Sequence, residues 1–174
     1  MPEDTAPAEH APDEDLSIVA PNAHRFGPVA ADRAAAWAEF PPSGHGPIFP
    51  LLVGFRLDDL RADYARLRLP FRPELLQPAG VVHGGVIATL VDSVFVPAIG
   101  AGYPERRRYS TVELSVRYLG GVTSEDLLVE GWITKRGRSI VFCDAEVRTT
   151  PSGELVATGT ATYKVSSSAG AGSG

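Results

Sequence analysis

The sequence is poor in cysteine, in long apolar runs and in basic charge. Cys143 is the only cysteine among the 174 residues, so no disulfide can form within the chain. No apolar stretch reaches the length of a membrane-spanning helix. Lys and Arg number 16 against 21 Asp and Glu, whereas a surface that binds nucleic acid usually shows a basic excess. We therefore expect neither a disulfide-stabilised secreted domain, nor a membrane protein, nor a nucleic-acid-binding protein.

The two ends of the chain have compositions typical of flexible segments. Residues 1–28 are rich in Pro, Ala and acidic side chains, and they lack the basic start and apolar core of a secretory signal, so a cytoplasmic location is expected by default. Residues 167–174 contain only Ser, Ala and Gly. Residues 29–47 include a run of helix formers that stops at Pro41, which predicts a short helical lead-in. One domain is expected over residues 48–166.

The periodicity of this domain predicts an α+β fold. Strands are expected near residues 53–57 and over ADYARLRLP. Residues 84–99 are apolar on nearly every side at helical spacing, so they predict a buried helix, which Pro97 should bend or break in its last turn. Four later segments alternate with period two, and their short turn-forming separators predict an antiparallel meander curved around the helix: TVELSVRYL, DLLVEGWITK, SIVFCDAEVRT and LVATGTATYKV.

Asp92 is the only ionisable residue in this apolar helix. A buried carboxylate without partners is costly or acquires a raised pKa, so this position needs either a satisfying network or a functional opening. On this residue alone a structural role remains open, in which Asp92 hydrogen-bonds a neighbouring strand or faces water.

The residues that precede the helix favour a functional role. Gly84 and Gly85 follow His83 at the predicted helix start, where free N–H groups and the helix dipole favour an oxyanion, and where glycine lets a carbonyl group approach the backbone. Gln77 and His83 add polar side chains in the same connection. A bare HGG sequence is nevertheless more often a tight turn that enters a helix.

The spacing of Gly84 and Asp92 adds a geometric constraint. Eight residues separate them, so they lie about 12 Å apart along one helix. A substrate carbonyl held by the Gly84 amide is therefore out of easy reach of Asp92 in the same chain. If both serve one reaction centre, antiparallel helices of two subunits must meet, which predicts a symmetric dimer with two composite sites.

Several motifs occur in order between residues 48 and 165: Gln77-x-x-Gly80-x-x-His83-Gly84-Gly85, then Asp92, Thr111-Val112-Glu113-Leu114, Tyr118-Leu119 and Gly137-Arg138. Together they resemble those of hotdog-fold acyl-CoA thioesterases, above all the phenylacetate-degradation type and the 4-hydroxybenzoyl-CoA type. The resemblance implies a curved antiparallel sheet wrapped around a long central helix. It also implies an acyl-CoA substrate and a homodimer that assembles further into a homotetramer.

The resemblance assigns roles to individual residues. Asp92 matches the essential carboxylate, which acts as nucleophile or as general base, and Gly84 matches the backbone donor that polarises the thioester carbonyl. Gln77 and His83 match a polar pair at the reaction centre. Either Ser110 or Thr111 matches a hydroxyl that orients water. Many relatives have Asn at the Gln77 position and some have Glu in place of Asp, which leaves the choice between nucleophile and base open.

This chemistry requires no cofactor in addition to the substrate. A thioester is electrophilic, so an oxyanion donor and one carboxylate can suffice without a Ser-His-Asp triad. The sequence has no G-x-S-x-G elbow, its four histidines show no metal-ligand spacing, and Cys143 follows a strand pattern typical of the core. We therefore expect neither a metal nor a separate cofactor.

Basic residues beside two predicted chain reversals are candidates for binding the phosphates of coenzyme A. They are Arg107, within the run of residues 106–108, and the pair Arg136 and Arg138. Gly85 is expected to contact the substrate beside the oxyanion donor. For each arginine a solvated turn is an equally good interpretation.

Two other functions remain open. One is a non-catalytic module that binds or senses acyl-CoA, which an appended DNA-binding segment would favour; none is evident. The other is a hotdog dehydratase or hydratase, which would pair an acid with a histidine close to the helix. No such pair stands out, because His83 precedes the helix.

Overall fold

The computed structural model of the protein describes residues 16–166, and six antiparallel strands form its framework. The strands are β1 Arg56–Arg61, β2 Tyr64–Leu69, β3 Arg108–Tyr118, β4 Asp126–Arg136, β5 Ile140–Thr150 and β6 Leu155–Ser166. Four α-helices accompany them: α1 Leu16–Val19, α2 Ala31–Trp37, α3 Phe49–Val53 and α4 Gly84–Gly100. The α+β class expected from the sequence is confirmed.

Helix α4 lies against the sheet and forms the centre of the core. Leu90, Val91, Val94, Phe95 and Ala98 are fully buried in it, as its unbroken apolar pattern predicts. Of the two outcomes expected at Pro97, a bend or a break, the break is wrong, because the helix continues through this residue to Gly100. Pro97 costs one backbone hydrogen bond near the end of the helix, where the surrounding buried side chains hold the last turn in place.

The strand order is β1-β2-β4-β5-β6-β3. Strands β4, β5 and β6 are joined by hairpins, as predicted. The expectation of a four-strand meander is wrong for β3, because β3 pairs with β6, while β2 occupies the place beside β4. The chain after β3 therefore crosses to β4 rather than turning back in a hairpin. A β-bulge interrupts the β3–β6 register between Thr111 and Glu113.

The segment of residues 16–28 covers the outer face of the sheet. Val19 and Ala20 are buried against Leu128, and the ring of Phe26 stacks on Tyr64 with centroids 5.1 Å apart. The expectation of a flexible segment over residues 1–28 is therefore wrong for residues 16–28, because these apolar side chains provide a packing surface that the overall composition concealed. Residues 1–15 and the expected tail of residues 167–174 lie outside the described part.

The lead-in and the first predicted strand differ in detail from expectation. Helix α2 ends at Trp37, before Pro41. The indole of Trp37 packs over Gly100 at the end of α4. Val53 belongs to α3, so the strand near residues 53–57 begins only at Arg56. Within residues 16–166, no helix is both long and apolar enough to cross a membrane.

Candidate active site

Asp92 lies on the partly exposed side of α4, beneath the sheet edge formed by β3 and β6. The Thr111 hydroxyl donates a hydrogen bond to Asp92 Oδ1 over 2.8 Å. The Tyr163 hydroxyl lies 2.6 Å from the same oxygen and 2.8 Å from the Asp92 carbonyl oxygen. No residue between 16 and 166 donates a hydrogen bond to Oδ2. One carboxylate oxygen is thus fixed, while the other remains available to a substrate or water.

Thr111 and Tyr163 meet at Asp92 because they are cross-strand partners in the β3–β6 ladder. Burial, and then the hydrogen bond with Asp92, raises the pKa of Tyr163. Its hydroxyl therefore stays protonated and remains a donor to the carboxylate. Of the two hydroxyls predicted here, Thr111 makes the contact, whereas Ser110 is exposed on the opposite side of β3.

The start of α4 has the features of an oxyanion site. His83 is the N-cap, and its Nδ1 accepts a hydrogen bond from the Gly85 N–H over 2.9 Å. The Gly85 amide is thereby occupied, which weakens its predicted role in substrate binding. The Gly84 N–H has no acceptor among residues 16–166, so it is available to an oxygen from outside the chain. Because Nδ1 accepts a bond, neutral His83 carries its proton on Nε2.

Tyr118 stands over the same helix terminus from the far end of β3. Its hydroxyl donates to the Gly84 carbonyl oxygen over 2.9 Å. A Cβ atom at position 84 would lie 3.3 Å from the Tyr118 ring, so glycine lets the strand and the helix approach closely. Tyr118 thus fixes the backbone that presents the Gly84 amide.

Gln77 belongs to the turn that leads into α4. Its N–H donates to the Val81 carbonyl over 2.8 Å, and its carbonyl accepts from the Gly80 N–H over 2.9 Å. Gly80 has a φ of 78°, a conformation that glycine adopts without strain. The Gln77 side chain makes no hydrogen bond within residues 16–166, and nothing within one chain joins it to Asp92.

The predicted phosphate-binding arginines differ in availability. Arg136 is occupied at the end of α4, where it pairs with Asp63 at 2.5 Å and donates to the carbonyl oxygens of Ala98 and Ile99. This is a helix-terminating role that its sequence neighbourhood did not indicate. Arg107 is paired with Glu105. Arg138 is exposed at the β4–β5 turn and remains accessible to a ligand.

The single cysteine of the chain takes no part in the site. Cys143 is buried in the core, and burial raises the pKa of its thiol to about 12, so it is not a thiolate near neutral pH. Between residues 16 and 166, no three His, Cys, Asp or Glu side chains are placed to hold a metal ion.

Tyr163 is the principal site residue that the sequence did not reveal. A buried tyrosine usually needs a partner for its hydroxyl, so its inward position on β6 was a usable signal. Tyr163 is opposite Thr111 only because β3 pairs with β6, and the expected meander placed β3 beside β4.

Comparisons with known proteins place these features in a family context. The family model described as Thioesterase superfamily matches residues 79–156. A candidate esterase of Caenorhabditis elegans is 36% identical over 85 residues, which cover 48% of this chain and 50% of that protein. Acyl-coenzyme A thioesterase 13 of Mus musculus is 29% identical over 82 residues, covering 46% of this chain and 57% of that protein. The alignments thus span little more than half the length of these relatives.

A solved structure extends the likeness to nearly a whole chain. A thioesterase family protein from Silicibacter pomeroyi superposes with a TM-score of 0.65 at 27% identity, covering 70% of this chain and 90% of that one. The hotdog fold that the motifs implied is confirmed.

Proposed function

We propose that the protein, which has the hotdog fold and matches the thioesterase family model over residues 79–156, hydrolyses acyl-CoA thioesters to the free acid and coenzyme A. The observation that carries the proposal is the arrangement of Asp92, which is anchored through Oδ1 and open at Oδ2. The name of the mouse relative, an acyl-CoA thioesterase, supports the choice of substrate class.

Asp92 supplies the carboxylate chemistry. As a base, Oδ2 accepts a proton from water while the hydroxide attacks the thioester carbonyl carbon. The C–S bond then breaks, and the departing thiolate takes up the proton. As a nucleophile, Oδ2 attacks the same carbon, the C–S bond breaks, and the departing coenzyme A thiolate takes up a proton from solvent. Water then hydrolyses the resulting anhydride to the free acid and the Asp92 carboxylate. In both routes Thr111 and Tyr163 hold the carboxylate in one orientation, which lowers the entropic cost of reaching the transition state.

The oxyanion donor in this proposal is the Gly84 amide of a second subunit. Gly84 and Asp92 of one chain are about 12 Å apart along α4, so a homodimer is needed to bring them to one carbonyl. Edge strand β3 and the residue that follows it support such a contact, because Val112 is 62% exposed and Tyr118 and Leu119 are each 51% exposed. The implied tetramer would combine two such dimers.

Polar side chains that have unused hydrogen-bond donors are proposed to bind the rest of the substrate. Arg138 is exposed and suited to a phosphate of coenzyme A. His83 presents Nε2–H beside the Gly84 amide, and Gln77 presents an amide from the preceding turn, so both can line the composite site.

Thiol release from a panel of acyl-CoAs tests the reaction. We expect Asp92→Asn to lose about a thousandfold in kcat, since general acid–base catalysis contributes about 10²- to 10⁴-fold. Asp144→Asn is the matched control, because Asp144 is a partly exposed carboxylate with no contact to Asp92. Full activity of Asp92→Asn would refute the mechanism. Binding of acyl-CoA without turnover by the wild type would favour the non-catalytic module.

Complementation between inactive variants tests the composite site. Gly84→Pro removes the N–H at the first helical position, where proline is tolerated, and Gly84→Ala is the control that keeps the N–H. Loss of one oxyanion donor should cost about 10²- to 10³-fold in kcat. Mixed dimers of Gly84→Pro and Asp92→Asn contain one intact site if the two groups come from different subunits. Mixing that restores no activity would overturn the composite site.

A further inference from the structure

A cavity of about 410 Å³ lies at the C-terminal end of α4, between α2 and the segment of residues 103–109. We call it the end pocket. Four partly buried aromatic side chains contribute to its lining from both sides, namely Trp37, Phe40, Tyr103 and Tyr109. Its volume lies within the range of about 300–1,000 Å³ typical of small-molecule sites.

Trp37 closes this pocket against the end of the central helix. A Cβ atom at position 100 would lie only 2.0 Å from the Trp37 ring, so the indole is seated directly on the Gly100 backbone. The Trp37 ring also packs against Phe40, with centroids 5.6 Å apart. Arg33 ties α2 to the same place through a 3.2 Å bond to the Ala101 carbonyl. The indole is therefore held in a defined position.

The end pocket continues the side of α4 that carries Asp92. Asp92, Val96 and Gly100 follow one another at intervals of four residues and are all partly exposed. Val96 is about 6 Å and Gly100 about 12 Å from Asp92 along the helix axis. On the facing strand, Tyr109 lines the pocket and precedes Thr111 by two residues, so both side chains lie on one face of β3.

The charges around the end pocket do not favour a phosphate group. Three carboxylates and three guanidinium groups line it, and Arg107 is already paired with Glu105. A phosphate-binding site needs an excess of positive charge or free donors. Because these charges balance, the four aromatic rings make the pocket better suited to an uncharged, apolar group. The lining side chains with charge are Asp32, Arg33, Glu39, Glu105, Arg106 and Arg107.

Resting on the proposed thioesterase function, we propose that the end pocket receives the far end of the acyl group and that Trp37 limits the length of the acyl chain. A thioester whose carbonyl lies at Asp92 directs its acyl group past Val96 towards Gly100. Trp37 blocks further extension. Because Trp37 lies outside residues 79–156, this specificity comes from a part of the chain that the family model does not cover.

Kinetics with acyl-CoAs of increasing length test the proposal. For the wild type, kcat/KM should fall steeply between octanoyl-CoA and hexadecanoyl-CoA. Trp37→Ala should raise the hexadecanoyl-to-octanoyl ratio roughly tenfold, within the usual discrimination by apolar pockets, and Trp37→Phe should retain most of the wild-type preference. The proposal is overturned if Trp37→Ala changes kcat/KM by the same factor for every acyl-CoA. If the variant also changes the inhibition constant of free coenzyme A by that factor, the pocket holds the coenzyme instead.

Fluorescence gives a second readout that does not depend on turnover. The chain has two tryptophans, so Trp132→Phe leaves Trp37 as the only indole emitter. An octyl-CoA thioether, which cannot be hydrolysed, should change Trp37 emission, whereas coenzyme A alone should not. An equal response to both would overturn the proposal. A thioether response without thioesterase activity would support the pocket and refute the proposed reaction.

Discussion

Two carboxylates of this domain are each bonded by a tyrosine hydroxyl, yet their surroundings differ. Glu130 is 1% exposed beneath residues 16–28. Its Oε1 accepts from Tyr64 at 2.9 Å and from the Asn22 N–H at 3.1 Å, while its Oε2 accepts from the Asn22 side chain at 3.2 Å. Asp92 is partly exposed, and both of its hydroxyl donors converge on Oδ1.

The difference separates a structural carboxylate from the proposed reactive one. Glu130 has partners for both oxygens and no route to solvent, so its hydrogen bonds serve to attach residues 16–28 to the sheet. Asp92 has one carboxylate oxygen without a hydrogen bond from the described residues, on a partly exposed side of α4. A carboxylate that contacts a substrate needs such an accessible oxygen. Loss of Glu130 should therefore affect stability, and loss of the Asp92 network should affect turnover.

The largest effect in this comparison is expected from Glu130→Ala. Removing the carboxylate leaves the buried Tyr64 hydroxyl and the Asn22 backbone N–H without their acceptor, while the Asn22 side chain keeps only its bond to Glu146. This should lower the free energy of unfolding by about 3 kcal/mol. Urea unfolding measures this change, with Asp92→Ala as the control that should remain close to wild type. A Glu130→Ala protein that is as stable as the wild type but inactive would reverse the assignment of the two carboxylates.

A smaller effect is expected from the two donors to Asp92. Thr111→Val and Tyr163→Phe each remove one hydrogen bond to a charged oxygen, which should reduce kcat about tenfold. Thr111→Ser keeps the hydroxyl and should retain most of the activity. Steady-state kinetics at saturating substrate measure these changes. Unchanged kcat in both variants would show that Asp92 needs no anchoring.

The smallest effect is a pH dependence of stability that originates at Glu130. Burial raises the pKa of Glu130 above its ordinary value of 4.5. The folded state thus keeps a proton that the unfolded state has lost, so the free energy of unfolding should fall as pH rises from about 4.5 through the raised pKa.

One proton limits this slope to about 1.4 kcal/mol per pH unit. Urea unfolding of the wild type and of Glu130→Gln between about pH 4.5 and pH 7 measures it, since the amide cannot titrate. Identical slopes for the two proteins would show that Glu130 does not contribute.

The periodicity of the sequence predicted those helices and strands of the domain whose apolar residues recur at regular spacing. The apolar pattern of residues 84–99 gave α4, and period-two alternation gave β3 to β6. Asp92 stood out because a charge inside an apolar helix demands an explanation. These features depend on local sequence and on burial alone.

Features that depend on long-range pairing were not predictable in the same way. Thr111 and Tyr163 are 52 positions apart and meet through a β3–β6 pairing that no local pattern specifies. Arg136 was expected to bind a ligand because it lies in a basic cluster beside a chain reversal. The carbonyl groups at the end of α4 that occupy it are 37 and 38 positions away, so the local sequence did not reveal them. The packing of residues 16–28 was hidden by their Pro-, Ala- and acid-rich surroundings.

The β-bulge between Thr111 and Glu113 changes which side chains of β3 face the helix. Thr111 and Tyr118 are seven positions apart, and in a regular strand an odd spacing directs two side chains to opposite faces. The bulge absorbs one residue, so both side chains face α4. A single edge strand thereby touches the helix twice, once at the Asp92 carboxylate and once at the carbonyl oxygen of Gly84, the residue whose N–H is the proposed oxyanion donor.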